Sequence, residues 1–399
     1  MSKLDEMIRE LCPDGVEYKR FDEVCTLNAR IGWQRLTKAE YMSKGDYLLI
    51  TGTDFTETHE IDYSTCVYVT EERYKQDLKI QLKNGDILIT KDGTLGKVAQ
   101  VKGLEMPATL NGGVFVVRCK DGSLENRFIL HYLLSNHFQS VVEQQKTGST
   151  ISHLTQTLFS RLMIPIPPLE IQREIVRILD NFTELTAELT AELTARKKQY
   201  EFYRDKLLTF GDVRGGATSD VVWKTLAEIA DISTGSSNTD DAVKGGCYPF
   251  FVRSQQPLAK DEYEYDEEAI ITAGDGVGVG KVFHYINGKY ALHQRAYRIH
   301  PATDGLLGKY LYHYFVATFP KYIGQQMYQG SVPSIRRPML NKFQVAIPSL
   351  DVQSRIVNVL DNFDAICSDL KIGLPAEIEA RQKQYEYYRD KLLSFEEKI

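Results

Sequence analysis

A segment from the middle of the chain returns near its end, and a single ordinary core does not explain that. Ile166–Phe182 (IPPLEIQREIVRILDNF) aligns with Ile347–Phe363 (IPSLDVQSRIVNVLDNF) at an offset of 181, with 10 of 17 positions identical. Tyr200–Phe210 (YEFYRDKLLTF) aligns with Tyr385–Phe395 (YEYYRDKLLSF) at an offset of 185, with 9 of 11 identical. A weaker likeness precedes each pair. Gly85–Val98 (GDILITKDGTLGKV) resembles Glu267–Val282 (EEAIITAGDGVGVGKV), and Lys146–Ser152 (KTGSTIS) resembles Tyr328–Ser334 (YQGSVPS). Self-similarity at a long period marks a duplicated unit. The 399 residues therefore read as two variable blocks, each closed by a similar segment, a length that suits two domains with connectors.

The closing segments have the period of helices. In the first, apolar or aromatic residues fall at Ile171, Ile175, Ile178, Phe182, Leu185, Leu189, Leu193, Tyr200, Tyr203, Leu207 and Phe210, with Arg196 in the one gap. Steps of three and four over about 40 residues predict a long amphipathic helix, roughly 60 Å, whose stripe needs a partner. The second copy carries a matching stripe that Ile372–Pro375 (IGLP) should interrupt, because glycine suits a helix C-terminus and proline the first turn of the next helix. The nearest partner for each stripe is the other, so an antiparallel, coiled-coil-like pair is expected.

The blocks look mixed and strand-rich. DYLLIT, DILITK, GGVFVVRC and KFQVAIP are short β-branched or aromatic runs bounded by Gly, Asp or Asn. Glu125–Gln144 and Gly308–Met327 each read as a helix placed after the strands. The net charge of −6 argues at first against a polyanionic partner. The distribution argues otherwise, since residues 73–168 hold 12 basic against 7 acidic residues and residues 269–349 hold 9 against 2. Two basic regions in an acidic chain suit two polyanion-binding surfaces; chance variation between solvated faces is the plainer alternative.

Catalytic signatures are missing. Gly274–Lys281 (GDGVGVGK) fails the phosphate-loop pattern at Asp275 and Val282, and fails the dinucleotide pattern at Val279. A glycine-rich β-turn that lets main chain approach something closely fits it better. Pro13–Lys19 (PDGVEYK) is too short to place nuclease carboxylates on successive strands, and there is no HExxH and no Asn-Pro-Pro-aromatic or Asp-Pro-Pro-Tyr tetrapeptide. Six scattered cysteines and eight histidines show no ligand spacing. No apolar run reaches a membrane-spanning length and the N-terminus lacks a secretory core, so a cytoplasmic, non-catalytic protein is expected.

With PIPPLEIQREIVRILDNF, TAELTAEL and RKKQYEFYRDKLL on the page, the chain resembles the specificity subunit of type I restriction–modification enzymes, in the subgroup with TAEL repeats in the central helix. The resemblance implies an α+β fold of two target recognition domains with internal pseudo-twofold duplication. The layout would be domains at 1–168 and 222–349, a central spacer helix at 169–210, a linker at 211–221, and a C-terminal helix at 350–399 interrupted near 373–375. Each domain would read one half of a bipartite, asymmetric site in double-stranded DNA. The helices would dock two methyltransferase (M) subunits, with motor-nuclease (R) subunits as further partners and no membrane. S-adenosylmethionine, ATP and magnesium would belong to those partners and no cofactor to this chain.

The family's glycine hairpin maps onto Thr90–Lys97 (TKDGTLGK) and Thr272–Lys281 (TAGDGVGVGK). Lys91, Thr94, Lys97, Lys146 and Lys281 are the resulting phosphate or base candidates. Arg253 and Gln255 (FVRSQQ), with His293, Gln294 and Arg295 (LHQRAYR), supply types that pair with guanine and adenine edges. Arg336 and Arg337 suit phosphates. Ordinary exposed turn residues remain the alternative for each. A non-catalytic scaffold that joins two protein-binding domains by a helical rod is the alternative for the whole chain.

The spacer candidates are Thr186, Leu189, Thr190 and Leu193, from two consecutive TAEL copies. Thr183–Gln199 is 17 residues where Asp364–Gln384 is 21, and the difference of four is one copy. Four helical residues advance about 6 Å and about 40° beyond a turn, which makes the copy number a ruler.

Overall fold

The computed structural model describes residues 3–146, 154–210, 221–325, 333–369 and 371–398, with only the main chain of Trp33, Gln145 and Lys146. The chain divides into two compact units, one made of Met1–Ala191 with Glu377–Ile399 and the other of Glu192–Ala376. In both, short hydrophobic runs form the strands because β-branched and aromatic residues fit a buried pleat. Ile87–Thr90 is buried at every position, on both faces.

The first unit contains an antiparallel sheet in the order Cys25–Asn28, Val114–Cys119, Ile87–Thr90, Val98–Gln100. A second sheet sets Tyr47–Ile50 between Val67–Val69 and Ala108–Leu110. A ribbon of Tyr18–Arg20 against Met163–Pro165 brings the two ends of the block together. The second unit repeats this plan with one larger sheet, in the order Ala230–Thr234, Ala296–Pro301, Tyr265–Ala273, Phe283–Leu292, Tyr248–Phe251, Leu258–Lys260. Its closing ribbon pairs Val222–Thr225 with Gln344–Ile347.

The helical expectation for Glu125–Gln144 needs one correction. Asn126–Leu134 and Asn136–Lys146 are separate helices, broken at Ser135, which is extended at φ −63° and ψ 152°. The Ser135 hydroxyl donates to Tyr132 O at 2.6 Å and accepts from Phe138 N at 3.4 Å, so it caps the second helix while ending the first. Gly308–Gly324 is continuous, with Pro320 inside it.

Leu169–Leu208 is one 40-residue helix, and Leu350–Ser368 and Leu374–Leu392 are 19 residues each. The repeated segments pack by a rule that the alignment alone does not reveal. Leu208, Tyr200, Leu207 and Phe210 complete the core of the second unit. Their equivalents Leu393, Tyr385, Leu392 and Phe395 complete that of the first. Phe182 stacks on Tyr388 within the first unit, with centroids 5.5 Å apart and planes at 17°. Phe363 stacks on Tyr203 within the second at 5.9 Å and 25°. Each LDNF phenylalanine thus meets the last tyrosine of a Tyr-Glu-aromatic-Tyr segment. The expected stripe is deepest at Ile171, Ile175 and Leu179, spaced by four, so Leu179 takes the place expected for Ile178. Along the TAEL copies it is shallow, with Leu185 39% exposed and Leu189 and Leu193 half-buried.

Candidate nucleic-acid interface

The two glycine-rich stretches are both hairpin loops. Thr90–Lys97 joins Ile87–Thr90 to Val98–Gln100, and Gly274–Val282 joins Tyr265–Ala273 to Phe283–Leu292. Both use the same pair of left-handed glycines, Gly93 and Gly96 (φ 70° and 82°) in the first and Gly276 and Gly280 (φ 81° and 69°) in the second. A side chain at these angles is strained. Space closes the second position as well. A Cβ on Gly96 would lie 2.8 Å from the Val142 side chain, and one on Gly280 would lie 2.8 Å from that of Ile323. Leu95 and Val279, one residue before, are buried. Each hairpin is therefore pinned by an apolar residue to the helix beside it, leaving its polar residues outside.

The details then diverge. In the first hairpin Thr90 is buried; its hydroxyl donates to Thr94 O and accepts from Lys97 N at 2.9 Å. Thr94 and Lys97 are exposed, whereas Lys91 is half-buried with its ammonium 5.2 Å from the centre of the Phe115 ring. Lys146 ends the helix Asn136–Lys146, and its side chain lies outside the described residues. The equivalent of Thr90 in the second hairpin, Thr272, is fully buried and its hydroxyl has no hydrogen-bond partner among the described residues.

Charge holds the second hairpin. Asp275 accepts from Arg253 Nη1 at 2.7 Å and from Arg295 Nη1 at 3.3 Å. Main-chain bonds from Gly276 N to Pro333 O (2.9 Å) and Ile335 N to Gly274 O (2.7 Å) hold it from the other side. Arg253, His293, Gln294 and Arg295 thus gather at one place, but His293 turns inward. It is 4% exposed, and its Nδ1 accepts the Arg295 N–H at 2.9 Å. Burial, then the charges of Arg253 and Arg295, lower its pKa and keep it neutral. Gln294 is exposed and its amide meets Asn238 Oδ1. Gln255, Lys281, Arg336 and Arg337 are exposed, the last two at the start of the short helix Arg337–Asn341.

Away from the hairpins lie two duplicated polar networks that sequence reasoning missed. Gln172 is fully buried; it accepts from Glu125 N and donates to Ser123 O and Pro167 O, each at 2.8 Å. Gln353 does the same with Leu307 N (2.9 Å), Gly305 O and Pro348 O (2.8 Å). His131 Nε2 donates to Asp180 at 2.9 Å while Arg127 pairs with the same carboxylate at 2.5 Å. His313 Nε2 donates to Asp361 at 2.9 Å while Lys309 pairs with it at 2.5 Å. Burial lowers the pKa of both histidines, and neutral His131 accepts the Tyr385 hydroxyl at Nδ1, 2.9 Å away. Burial alone would raise the Asp180 pKa, but hydrogen bonds from His131 and Arg127 outweigh it and hold the carboxyl at about 2. The available signal was identity between the aligned copies, which holds at Gln172/Gln353 and Asp180/Asp361.

Two unlike α+β blocks, each displaying a glycine hairpin and each closed by the same helical segments, define a duplicated, helix-linked two-domain subunit. Residues 13–196 and 218–380 match the type I restriction modification DNA specificity domain, and the chain belongs to that family. It is 32% identical over 307 residues to the Escherichia coli EcoR124I/EcoR124II specificity subunit, covering 70% of this chain and 73% of the relative. It is 34% identical over 305 residues to a putative specificity subunit of Haemophilus influenzae, covering 71% and 76%. The fold is that of the S subunit from M. genitalium, with a TM-score of 0.58 at 16% identity over 95% of this chain and 96% of that one. The S subunit from Thermoanaerobacter tengcongensis gives 0.52 at 17% identity over 96% and 97%. The protein is a DNA sequence-recognition subunit of the type I restriction–modification family. Among the described residues no helix is long and apolar enough to cross a membrane, and no cluster of His, Cys, Asp or Glu could hold a metal ion.

Proposed function

We propose that the blocks at 1–168 and 222–349 each read one half of a bipartite, asymmetric DNA site, and that the chain itself catalyses nothing. The observation that carries this reading is the pair of hairpins, alike in their glycines, their pinned residues and the exposed Lys97 and Lys281. They are unlike at Lys91 and Thr94, where the second has Gly274 and Val277, and in the two arginines that only the second brings to its aspartate among the described contacts. A shared loop frame with partly different polar groups suits two readers of two different sequences. Lys91, Thr94 and Lys97 face the first half-site in this reading, and Lys146 is assigned to it from the sequence. Arg253, Gln255, Lys281, Gln294, Arg295, Arg336 and Arg337 serve the second, with His293 shaping the turn beneath them. The helices dock two methyltransferase subunits, and motor-nuclease subunits complete the restriction complex in the cytoplasm. S-adenosylmethionine, ATP and magnesium are used by those partners and not by this chain.

Spacing belongs to the central helix. Thr186 Oγ1 donates to Phe182 O and Thr190 Oγ1 to Thr186 O, both at 2.8 Å. Each threonine is satisfied four residues back, so a further TAEL copy reproduces its local bonds and lengthens the helix by about 6 Å. With about 3.4 Å per base pair, one copy corresponds to a gap between half-sites longer by one or two base pairs.

The test is replacement of residues 20–160 by those of a relative, in a complex with methyltransferase subunits, followed by sequencing of methylated adenines. One half-site should change and the other persist. An unchanged motif rejects the modular reading. A scaffold whose basic regions served proteins would also bind DNA with little dependence on salt, whereas several phosphate contacts give a steep negative slope.

A further inference from the structure

Asp275 sits where three separate segments meet, and the hairpin is pressed against the main chain of both arginines it binds. A Cβ on Gly274 would lie 2.6 Å from Arg295 O, and one on Gly278 would lie 2.4 Å from Arg253 O. Gly274 N also donates to Arg295 O at 2.8 Å. Arg253 follows the strand Tyr248–Phe251, and Arg295 occupies the turn between Phe283–Leu292 and Ala296–Pro301. Their guanidinium groups converge at Asp275, with side chains still 40% and 59% exposed.

A guanidinium carries five N–H donors in a rigid fork, and Asp275 engages Nη1 alone on each. The carboxylate therefore orients two forks and leaves donors on both facing solvent. It also cancels part of their charge, which weakens their attraction for phosphate, a contact that carries no sequence information. What suits an oriented fork of reduced charge is a planar pair of acceptors at fixed spacing. On a base edge that is O6 and N7 of guanine in the major groove.

We propose that Asp275 is a specificity-determining positioning residue of the second unit, holding Arg253 and Arg295 to read guanine in the second half-site. The inference rests on the DNA-recognition reading above and assigns its chemistry.

The experiment uses the full chain assembled with its methyltransferase partners. The second half-site is defined as the half that survives replacement of residues 20–160. Methylated adenines are mapped for wild type and Asp275→Asn. Binding is measured to the native duplex, to an unrelated duplex, and to duplexes carrying 7-deazaguanine in either half. Asp275→Asn should bind the unrelated duplex more tightly and lose about tenfold or more of its discrimination, at second-half positions only. Asp275→Glu should restore part of it. A variant that merely loosened the second block would weaken binding to the native and the unrelated duplex alike instead of tightening the latter. Should Asp275→Asn prove unstable, the wild-type complex still decides, because 7-deazaguanine in the second half should weaken its binding about tenfold. Unchanged discrimination in Asp275→Asn, indifference to 7-deazaguanine there, or a second half-site without a G·C pair overturns the inference while leaving bipartite recognition intact. A wild-type complex that marks no bipartite motif overturns both.

Discussion

The two hairpins differ where the two frames do not. Both frames bury a glutamine with three hydrogen bonds, seat a histidine on the LDNF aspartate, and stack the LDNF phenylalanine on a tyrosine. The hairpins each carry two left-handed glycines but show different contacts, a threonine hydroxyl bonded across the base of one and an aspartate between two arginines in the other. The duplication has kept what holds each block to its helices and has changed more of what faces outward, where Lys97 and Lys281 are retained but Thr94 is replaced by Val277. Loops on a rigid support are free to vary in this way.

The comparison breaks most readily at the frame. Gln172→Ala and Gln353→Ala each strand one buried N–H and two carbonyls, which should cost on the order of 3–5 kcal/mol. Denaturant unfolding of each variant reads this directly. Losses that differ by more than about 2 kcal/mol between the two would show that the networks are not equivalent. A smaller, asymmetric effect is expected at the hairpin bases. Thr90→Val removes two hydrogen bonds and should cost about 1–2 kcal/mol, whereas Thr272→Val removes none and should be neutral or stabilising by up to about 1 kcal/mol. Equal costs would contradict the different closures.

The mildest effect is that of pH. His131 and His313 have pKa values below the unfolded value of about 6.5. The unfolded chain therefore binds more protons below that pH, and stability should fall between about pH 7 and 5.5. His59, His284 and His293, all lowered first by burial, act in the same direction. Asp180, held at about 2, contributes stability that is lost only between about pH 4 and 2. Thermal unfolding from pH 8 to 5.5 checks the sign. The slope should flatten in His131→Gln and in His313→Gln, and a slope identical to wild type in both would exclude these histidines as its source.

Much of this was legible in the residue string because it is local or repeated. Helical period, the short β-branched runs and the aligned segments all announce themselves within a few residues of their cause. What escaped is long-range or rests on one atom. Ser135 breaks a helical pattern with a single hydroxyl. Asp275 is read as a defect in a phosphate-loop pattern until the fold brings Arg253 and Arg295 to it across 22 and 20 residues. His293 carries the right side chain for an edge contact, yet its neighbours bury it. The TAEL leucines keep their period without being deeply buried, so periodicity gave their direction and not their depth.

The central claim is that helix length fixes the spacing while the blocks fix the sequence. Deleting one copy, residues 190–193, from the chain in its methyltransferase complex and sequencing the methylated adenines tests it most directly. Both half-sites should persist with a gap shorter by one or two base pairs; an unchanged gap, or an altered half-site, would contradict the account.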